Sequence, residues 1–153
     1  MARLYVMVGL PGSGKTTYAN SIKGENIKVF SSDSIRKELY GDESIQGDND
    51  MIFRMLESRI EEHLPHGDDA VHDATNLREQ NRAKIIRRFR HTGCEFIAVN
   101  MLTDYNTCLE RNAGRDRKVP EEVIERMNKS YTRAKFAEGW DKIRLILPDW
   151  MEE

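Results

Sequence analysis

Short apolar runs alternate along the chain with longer stretches in which apolar residues recur at helical spacing. The apolar runs predict buried strands at residues 4–8, 27–30, 69–72, 95–101 and 142–147. The periodic stretches predict helices at residues 15–22, 32–40, 51–64, 78–90, 105–111 and 120–135. Strands that alternate with helices predict an α/β fold, in which helices cover both faces of a parallel sheet of about five strands.

Polar segments separate the predicted elements. Residues 41–50 are acidic and contain glycines, which predicts an exposed loop. Residues 112–120 are charged and include both glycine and proline, which is typical of a mobile loop. The length of 153 residues, with no internal repeat or linker, predicts a single domain over residues 1–153.

A glycine-rich stretch joins the first predicted strand to the first predicted helix. It has the sequence Gly-Leu-Pro-Gly-Ser-Gly-Lys-Thr, which satisfies the phosphate-binding pattern G-x-x-x-x-G-K-[ST] in the context that this pattern requires. Its backbone N–H groups would face phosphate oxygens, and Lys15 would reach the β- and γ-phosphates while Thr16 binds Mg²⁺. The alternative is a glycine-rich turn without a ligand. The residues predicted to bind the nucleotide here are Gly9, Pro11, Gly12, Ser13, Gly14, Lys15, Thr16 and Thr17.

Composition and charge narrow the class of protein. The net charge of −2 argues against sequence-independent binding of duplex nucleic acid over a broad surface, because such binding usually needs a strongly basic domain. Most of the 24 basic residues are arginines, whose planar fork suits contacts with phosphate. Two cysteines, Cys94 and Cys108, are too few for a disulfide framework. No stretch approaches the roughly 20 apolar residues of a membrane span, so we expect a cytoplasmic protein that does not bind membranes.

Three polar segments directly follow predicted strands. They are the phosphate-binding stretch, the pair Ser32-Asp33 and the turn Asp73-Ala74-Thr75-Asn76. In a parallel sheet the carboxyl ends of the strands lie at one edge, and ligands bind there. We therefore expect these segments to meet at one rim, although they are far apart in sequence.

The rim carries candidates for phosphoryl-transfer chemistry. Asp33 could accept a proton from an incoming hydroxyl and orient it in line with the γ-phosphorus. Arg36, one helical turn later, could hold a phosphate of the acceptor. Each residue also has a simpler explanation, since Asp33 could cap a helix at a gain of about 1 kcal/mol and Arg36 could be a solvated arginine. The turn from Asp73 to Asn76 could likewise only cap a helix.

Two groups of basic residues follow later in the chain. Arg111, Arg115 and Arg117 flank a glycine beside a helix that proline begins, which suits a lid at about residues 112–119. A lid arginine can accelerate phosphoryl transfer about 10³-fold or more, whereas the alternative is a solvated basic loop. The second group lies in the helix predicted at residues 78–90. These residues are either the solvated polar face of that helix or a surface that contacts a nucleic-acid strand. Its members are Arg82, Lys84, Arg87, Arg88 and Arg90.

Together these motifs resemble the 5′-hydroxyl polynucleotide kinase family, including the kinase domain of phage and bacterial end-healing enzymes. The resemblance runs from about residue 3 to residue 147. Its motifs are Gly9-x-x-Gly12-Ser13-Gly14-Lys15-Thr16, Ser32-Asp33-x-x-Arg36, Asp73-Ala74-Thr75-Asn76-Leu77 and Arg111-Asn112-x-x-Arg115 with Val119-Pro120. It implies a P-loop NTPase kinase fold with an arginine-bearing lid, and the chain has no room for the phosphatase domain that phage members often carry.

The resemblance assigns roles on the acceptor side. Asp33 would be the general base for the 5′-hydroxyl, and Arg36 would hold the 3′-phosphate of the acceptor. Asp73 would help to order that pair. Thr75 and Asn76 would border the acceptor groove.

On the donor side, Arg115 would contact the transferring phosphoryl group and Arg111 would lie on the nucleotide side of the lid. Lys15 would join them at the phosphates. The resemblance implies ATP or GTP and Mg²⁺ as cofactors and a single-stranded or end-frayed RNA or DNA 5′ end as the acceptor. A separate ligase or phosphatase would act as a partner.

The segment between Gly41 and Gly67, which should form the acceptor-side wall, matches no motif. Its acidic residues 42, 43, 48 and 50 are unusual for a surface that binds nucleic acid. Related P-loop kinases that phosphorylate small molecules, a seryl-tRNA or a peptide share much of the pattern. A kinase of a small molecule or aminoacyl-tRNA, or a non-catalytic nucleotide-dependent binding module, is therefore the alternative.

Overall fold

The computed structural model describes residues 1–115 and 118–151. Within these residues, five strands form one sheet in the order β2-β3-β1-β4-β5, and all neighbouring strands are parallel. The strands are β1 (Arg3–Val8), β2 (Ile27–Ser31), β3 (Asp69–Asp73), β4 (Glu95–Met101) and β5 (Lys142–Ile146). The helices are α1 (Lys15–Ile22), α2 (Ser32–Tyr40), α3 (Asn49–His63), α4 (Glu79–Phe89), α5 (Tyr105–Ala113) and α6 (Glu121–Ser130). The predicted α/β fold is thus confirmed.

Alternate residues of the central strand β1 enter two different apolar cores. Leu4 and Val6 pack in one core with residues of α3 and α4, whereas Tyr5 and Met7 pack in the other with residues of α1. Successive side chains of a strand point to opposite faces of the sheet. Helices therefore cover both faces, which explains why β1 is apolar without alternation.

The last helix is shorter than the apolar spacing predicts, because tertiary hydrogen bonds replace its final turn. The backbone N–H of Thr132 donates to Leu77 O at 2.9 Å. Ala134 N donates to Asn100 Oδ1 at 3.0 Å, and Asn100 Nδ2 donates back to Ala134 O at 3.1 Å. The chain after α6 therefore runs extended against β4 and the loop before α4. In the described part of the chain, no helix has the length and apolar character that crossing a bilayer needs.

Candidate active site

The ends of three strands bring the predicted motifs together. β1 leads into the phosphate-binding stretch, β2 leads into α2, and strand pairing places Ser31 opposite Asp73 at the ends of β2 and β3. The rim expected from a parallel sheet is therefore present.

The backbone of the phosphate-binding stretch forms a cradle. Gly12 and Gly14 take left-handed φ angles of 82° and 95°, and Ser13 N donates to Leu10 O at 3.0 Å. Left-handed residues in such a loop make a concave nest of N–H groups that suits an anion. Gly14 is followed directly by α1, so the helix N-terminus adds its partial positive charge, and Thr17 lies exposed in the first turn.

Lys15 lies folded over this cradle. Its Nζ donates to Leu10 O at 2.9 Å. Burial lowers the pKa of the Lys15 ammonium, while the charges of Asp73 and Asp33 act in the opposite direction and that of Arg115 lowers it further. A phosphate oxygen would be a stronger partner than the carbonyl, because charge-assisted hydrogen bonds are about twice as strong as neutral ones.

The side-chain oxygens of Thr16 and Asp73 meet beside the cradle. Thr16 Oγ1 donates to Asp73 Oδ2 at 3.1 Å. Burial raises the pKa of Asp73, and the charge of Lys15 and the bond from Thr16 counteract this. A hydroxyl and a carboxylate are ligands that Mg²⁺ takes in P-loop sites. Among the described residues no three His, Cys, Asp or Glu side chains cluster as a metal cage.

The Asp33–Arg36 pair stands at the start of α2. Arg36 Nη1 lies 3.1 Å from Asp33 Oδ1, and the Arg36 side chain is only 9% exposed whereas that of Asp33 is 43% exposed. The helix cap is Ser31, whose Oγ accepts a hydrogen bond from Ser34 N at 3.3 Å. Both simpler explanations are therefore excluded, because Arg36 is not solvated and Asp33 is not the cap. Asp73 accepts a hydrogen bond from Thr16, and the nearby charge of Asp33 acts to raise the pKa of Asp73.

Sequence patterns missed Asn49, which is the second partner of Arg36. Arg36 Nη2 donates to Asn49 Oδ1 at 2.8 Å, while Arg36 Nε is buried without a partner among the described residues. The start of α3 is fastened to the end of α2, because Asp48 N donates to the Tyr40 hydroxyl at 3.2 Å. Gly47 packs so closely on the Tyr40 ring that a side chain would overlap it. This packing brings the end of the acidic segment, which has no motif, next to Arg36.

Thr75 and Asn76 hold the loop after β3 against the cradle. Gly9 N donates to Thr75 O at 3.0 Å. The Asn76 side chain is buried, its Nδ2 donates to Met7 O at 2.9 Å, and its φ of 45° is left-handed. The expectation that the Asn76 side chain borders an acceptor groove therefore needs correction, because the amide is used to join β3 to β1.

Arg111 lies beside the cradle, near Gly14. Its Nη2 donates to Pro148 O at 3.2 Å, and its Nη1 is 3.6 Å from the point that a Cβ on Gly14 would occupy. The Arg111 guanidinium thus lies between the cradle and the loop after β5.

A cleft of about 880 Å³ opens beside the cradle. Its lining includes the candidate transfer residues Thr16, Asp33, Asp73 and Arg115. Glu43 of the acidic loop also lines it, so this loop reaches the same cleft as Asp33. Arg117, the third lid candidate, lies outside the described residues.

Replacing Gly12 by alanine is expected to weaken ATP binding by more than about tenfold. The left-handed φ costs alanine about 1–2 kcal/mol, and the new Cβ would lie 2.5 Å from the backbone oxygen of Cys108, so the cradle must shift. Gly67→Ala is the matched control, because Gly67 has a φ of 84° and nothing within 4 Å of such a Cβ. Calorimetric titration with ATP should find affinity close to wild type for Gly67→Ala; an equal loss in both variants would refute the packing argument.

The fold and the cradle define a class of protein. An all-parallel sheet whose first strand leads through the G-x-x-x-x-G-K-T loop into a helix, with Asp73 ending the neighbouring strand, is a P-loop kinase domain. The chain belongs to the AAA domain family, whose model matches residues 4–134.

The individual relatives and structural neighbours are proteins of different kinds. The chain is 26% identical over 159 residues to the L-seryl-tRNA(Sec) kinase of Methanococcus maripaludis; the alignment covers 95% of this chain and 57% of that protein. A chain of the Pnkp1/Rnl/Hen1 RNA repair complex is similar in fold, with a TM-score of 0.75, 19% identity and coverage of 84% of this chain and 43% of that one. Kti12 of Chaetomium thermophilum in complex with ADP-AlF3 also gives a TM-score of 0.75, with 16% identity and coverage of 94% and 88%. The chain thus spans little more than half of the curated relative.

Proposed function

We propose that this protein transfers the γ-phosphoryl group of ATP or GTP to the 5′-hydroxyl of an RNA or DNA end. The observation that carries the proposal is that Asp33, which is paired with the buried Arg36 behind it, lines one cleft with Thr16 and Asp73. Asp33 suits an acceptor hydroxyl, and Thr16 and Asp73 suit a metal-bound triphosphate. A nucleotide switch needs no such acceptor side.

The donor would be held by the cradle. The N–H groups around Gly14 and the ammonium of Lys15 bind the β- and γ-phosphates. Thr16 and Asp73 would hold Mg²⁺, which when bound neutralises charge on the phosphate oxygens. Arg111 lies where it can contact the nucleotide from the side of β5.

Asp33 acts on the acceptor. Its carboxylate accepts the proton of the 5′-hydroxyl as that oxygen bonds to the γ-phosphorus, and the bond from the γ-phosphorus to the bridging oxygen breaks, so the diphosphate leaves. Arg36 bonds to Asp33 and Asn49 and keeps the carboxylate in place. This replaces the expectation that Arg36 holds the 3′-phosphate of the acceptor, because its side chain is only 9% exposed and does not line the cleft. Arg115 would stabilise the charge that develops in the transition state, an effect of about 10³-fold or more.

The similarity to a chain of an RNA repair complex supports a nucleic-acid acceptor. The product of this reaction would be a 5′-phosphate end, which is the group that a ligase consumes. A separate ligase is therefore a suitable partner. A separate phosphatase would supply 3′-hydroxyl ends. We place this activity in the cytoplasm.

An aminoacyl-tRNA is the second candidate acceptor, and one observation favours it. Glu43 lines the cleft together with Asp33, and carboxylates there suit an acceptor with an ammonium group beside its hydroxyl. The sequence similarity to an L-seryl-tRNA(Sec) kinase over 95% of this chain agrees with this alternative.

Transfer of labelled γ-phosphate tests the proposal. We expect label on 5′-hydroxyl RNA or DNA oligonucleotides and none on the same oligonucleotides with a 5′-phosphate. Seryl-tRNA is offered in a parallel reaction and in competition. Label on seryl-tRNA alone would establish the second candidate instead, and nucleotide binding without transfer to any acceptor would favour a binding module.

A further inference from the structure

We propose that Thr103 is a positioning residue for the phosphate cradle, because its hydroxyl holds the Ser13–Gly14 peptide in the orientation that binds phosphate. Thr103 lies between β4 and α5 and is 8% exposed. Its Oγ1 donates to Ser13 O at 2.8 Å, across 90 residues of sequence. The inference rests on nucleotide binding and is independent of the acceptor.

The Ser13–Gly14 peptide needs such a restraint. The C=O and N–H of a trans peptide point in opposite directions. The N–H of Gly14 can face a phosphate only while the carbonyl of Ser13 faces away from it. Because glycine adopts either sign of φ at little cost, rotation of this peptide is sterically inexpensive. The rotated peptide would present a carbonyl oxygen to the phosphate and repel it.

Other contacts of Ser13 do not prevent this rotation. Its N–H belongs to the preceding peptide and donates to Leu10 O. Its side-chain hydroxyl is buried without a hydrogen-bond partner among the described residues. In the same part of the chain no second donor to the Ser13 carbonyl is seen, so the Thr103 hydroxyl fixes the direction of this carbonyl.

Thr103 is itself held by the start of α5. The thiol of Cys108 points to Thr103 O at a distance of 3.7 Å, and the Cys108 carbonyl packs against Gly12. The same helix carries Arg111 towards the cradle. The restraint on the cradle therefore comes from the segment that leads into α5, the helix that also carries Arg111.

The test compares Thr103→Val with Thr103→Ser. Valine keeps the shape but cannot donate, whereas serine keeps the hydroxyl. The matched control is Thr107→Val on α5, where the hydroxyl bonds to Asp104 Oδ1 at 2.7 Å and does not touch the cradle. Calorimetric titration with ADP should show affinity about tenfold lower for Thr103→Val, as expected from one lost hydrogen bond. Thr103→Ser and Thr107→Val should stay within about twofold of wild type.

Circular dichroism without nucleotide measures the temperature at which each variant unfolds. The titrations are made below that temperature. Wild-type ADP affinity in Thr103→Val, or an equal loss in Thr103→Ser, would overturn the inference. If the valine variant does not fold, Thr103→Ala replaces it. We expect the same loss of about tenfold in ADP affinity, and wild-type ADP affinity would again overturn the inference. ADP binding does not depend on the acceptor, so these results are separate from any failure of the proposed polynucleotide substrate.

Discussion

Asp33→Asn is expected to slow phosphoryl transfer by about 10²–10⁴-fold, the range that loss of a general base produces. Asparagine has nearly the same shape and its oxygen can still accept the hydrogen bond from Arg36, but it cannot take up the proton of the acceptor. ADP affinity should change by less than about twofold, because Asp33 lies in the first turn of α2 and is not part of the cradle. Single-turnover transfer with enzyme in excess measures the chemical step directly.

Asp50→Asn is the matched control for this variant. Asp50 is a carboxylate in the first turn of α3, as Asp33 is in the first turn of α2, but it is not among the residues that line the cleft. The control removes the same charge from the same kind of helix position and should keep transfer within about twofold of wild type. Transfer at the wild-type rate in Asp33→Asn would eliminate Asp33 as the base.

The local parts of the fold could be predicted from the sequence. Apolar runs and helical spacing located the strands and the cores of the helices, because burial on both faces leaves an uninterrupted apolar run. The turn before α1 could also be predicted, since its glycines are needed where φ is positive. The rim followed from parallel pairing alone, which places the ends of β2 and β3 side by side.

Interactions between distant segments could not be predicted. Asn49 is 13 residues from Arg36, and their contact depends on how α2 and α3 pack. Asn76 belongs to a motif that matches the acceptor side, yet its amide is used to bond Met7 O inside the protein. A motif specifies which residue types are present, whereas the direction of each side chain depends on tertiary contacts that have no local signal.

Arg82 is the largest departure from the sequence prediction. Its position in α4 suggested a polar surface, but the side chain is completely buried and pairs with Glu138, Arg82 Nε lying 2.8 Å from Glu138 Oε1. The guanidinium also donates to Asn76 O at 3.1 Å and to Thr132 O at 2.9 Å. Burial acts to raise the pKa of Glu138, but the hydrogen bonds from Arg82 and Trp140 and the arginine charge outweigh it, so the pKa is lowered. Arg82 thus joins α4, the loop after β3 and the segment after α6.

Arg82→Met is therefore expected to lower the free energy of unfolding by about 3–5 kcal/mol, as removal of one partner from a buried ion pair does. The variant leaves the Glu138 carboxylate buried without its counter-charge, and it also removes the donors to Asn76 and Thr132. Urea unfolding followed by circular dichroism measures the loss. The double variant Arg82→Met, Glu138→Met should recover part of it, because two apolar side chains leave no unpaired charge behind.

The control for Arg82→Met is the surface pair of Arg88 and Glu61, whose side chains are 40% and 35% exposed at an N–O distance of 2.8 Å. Arg88→Met removes the same charge from the same helix, but water screens the exposed pair, so the expected cost is below about 1 kcal/mol. An equal loss in the two single variants would mean that burial does not decide the effect. If the double variant were no more stable than Arg82→Met, the main cost would lie in the lost bonds to Asn76 and Thr132 rather than in the unpaired Glu138 carboxylate.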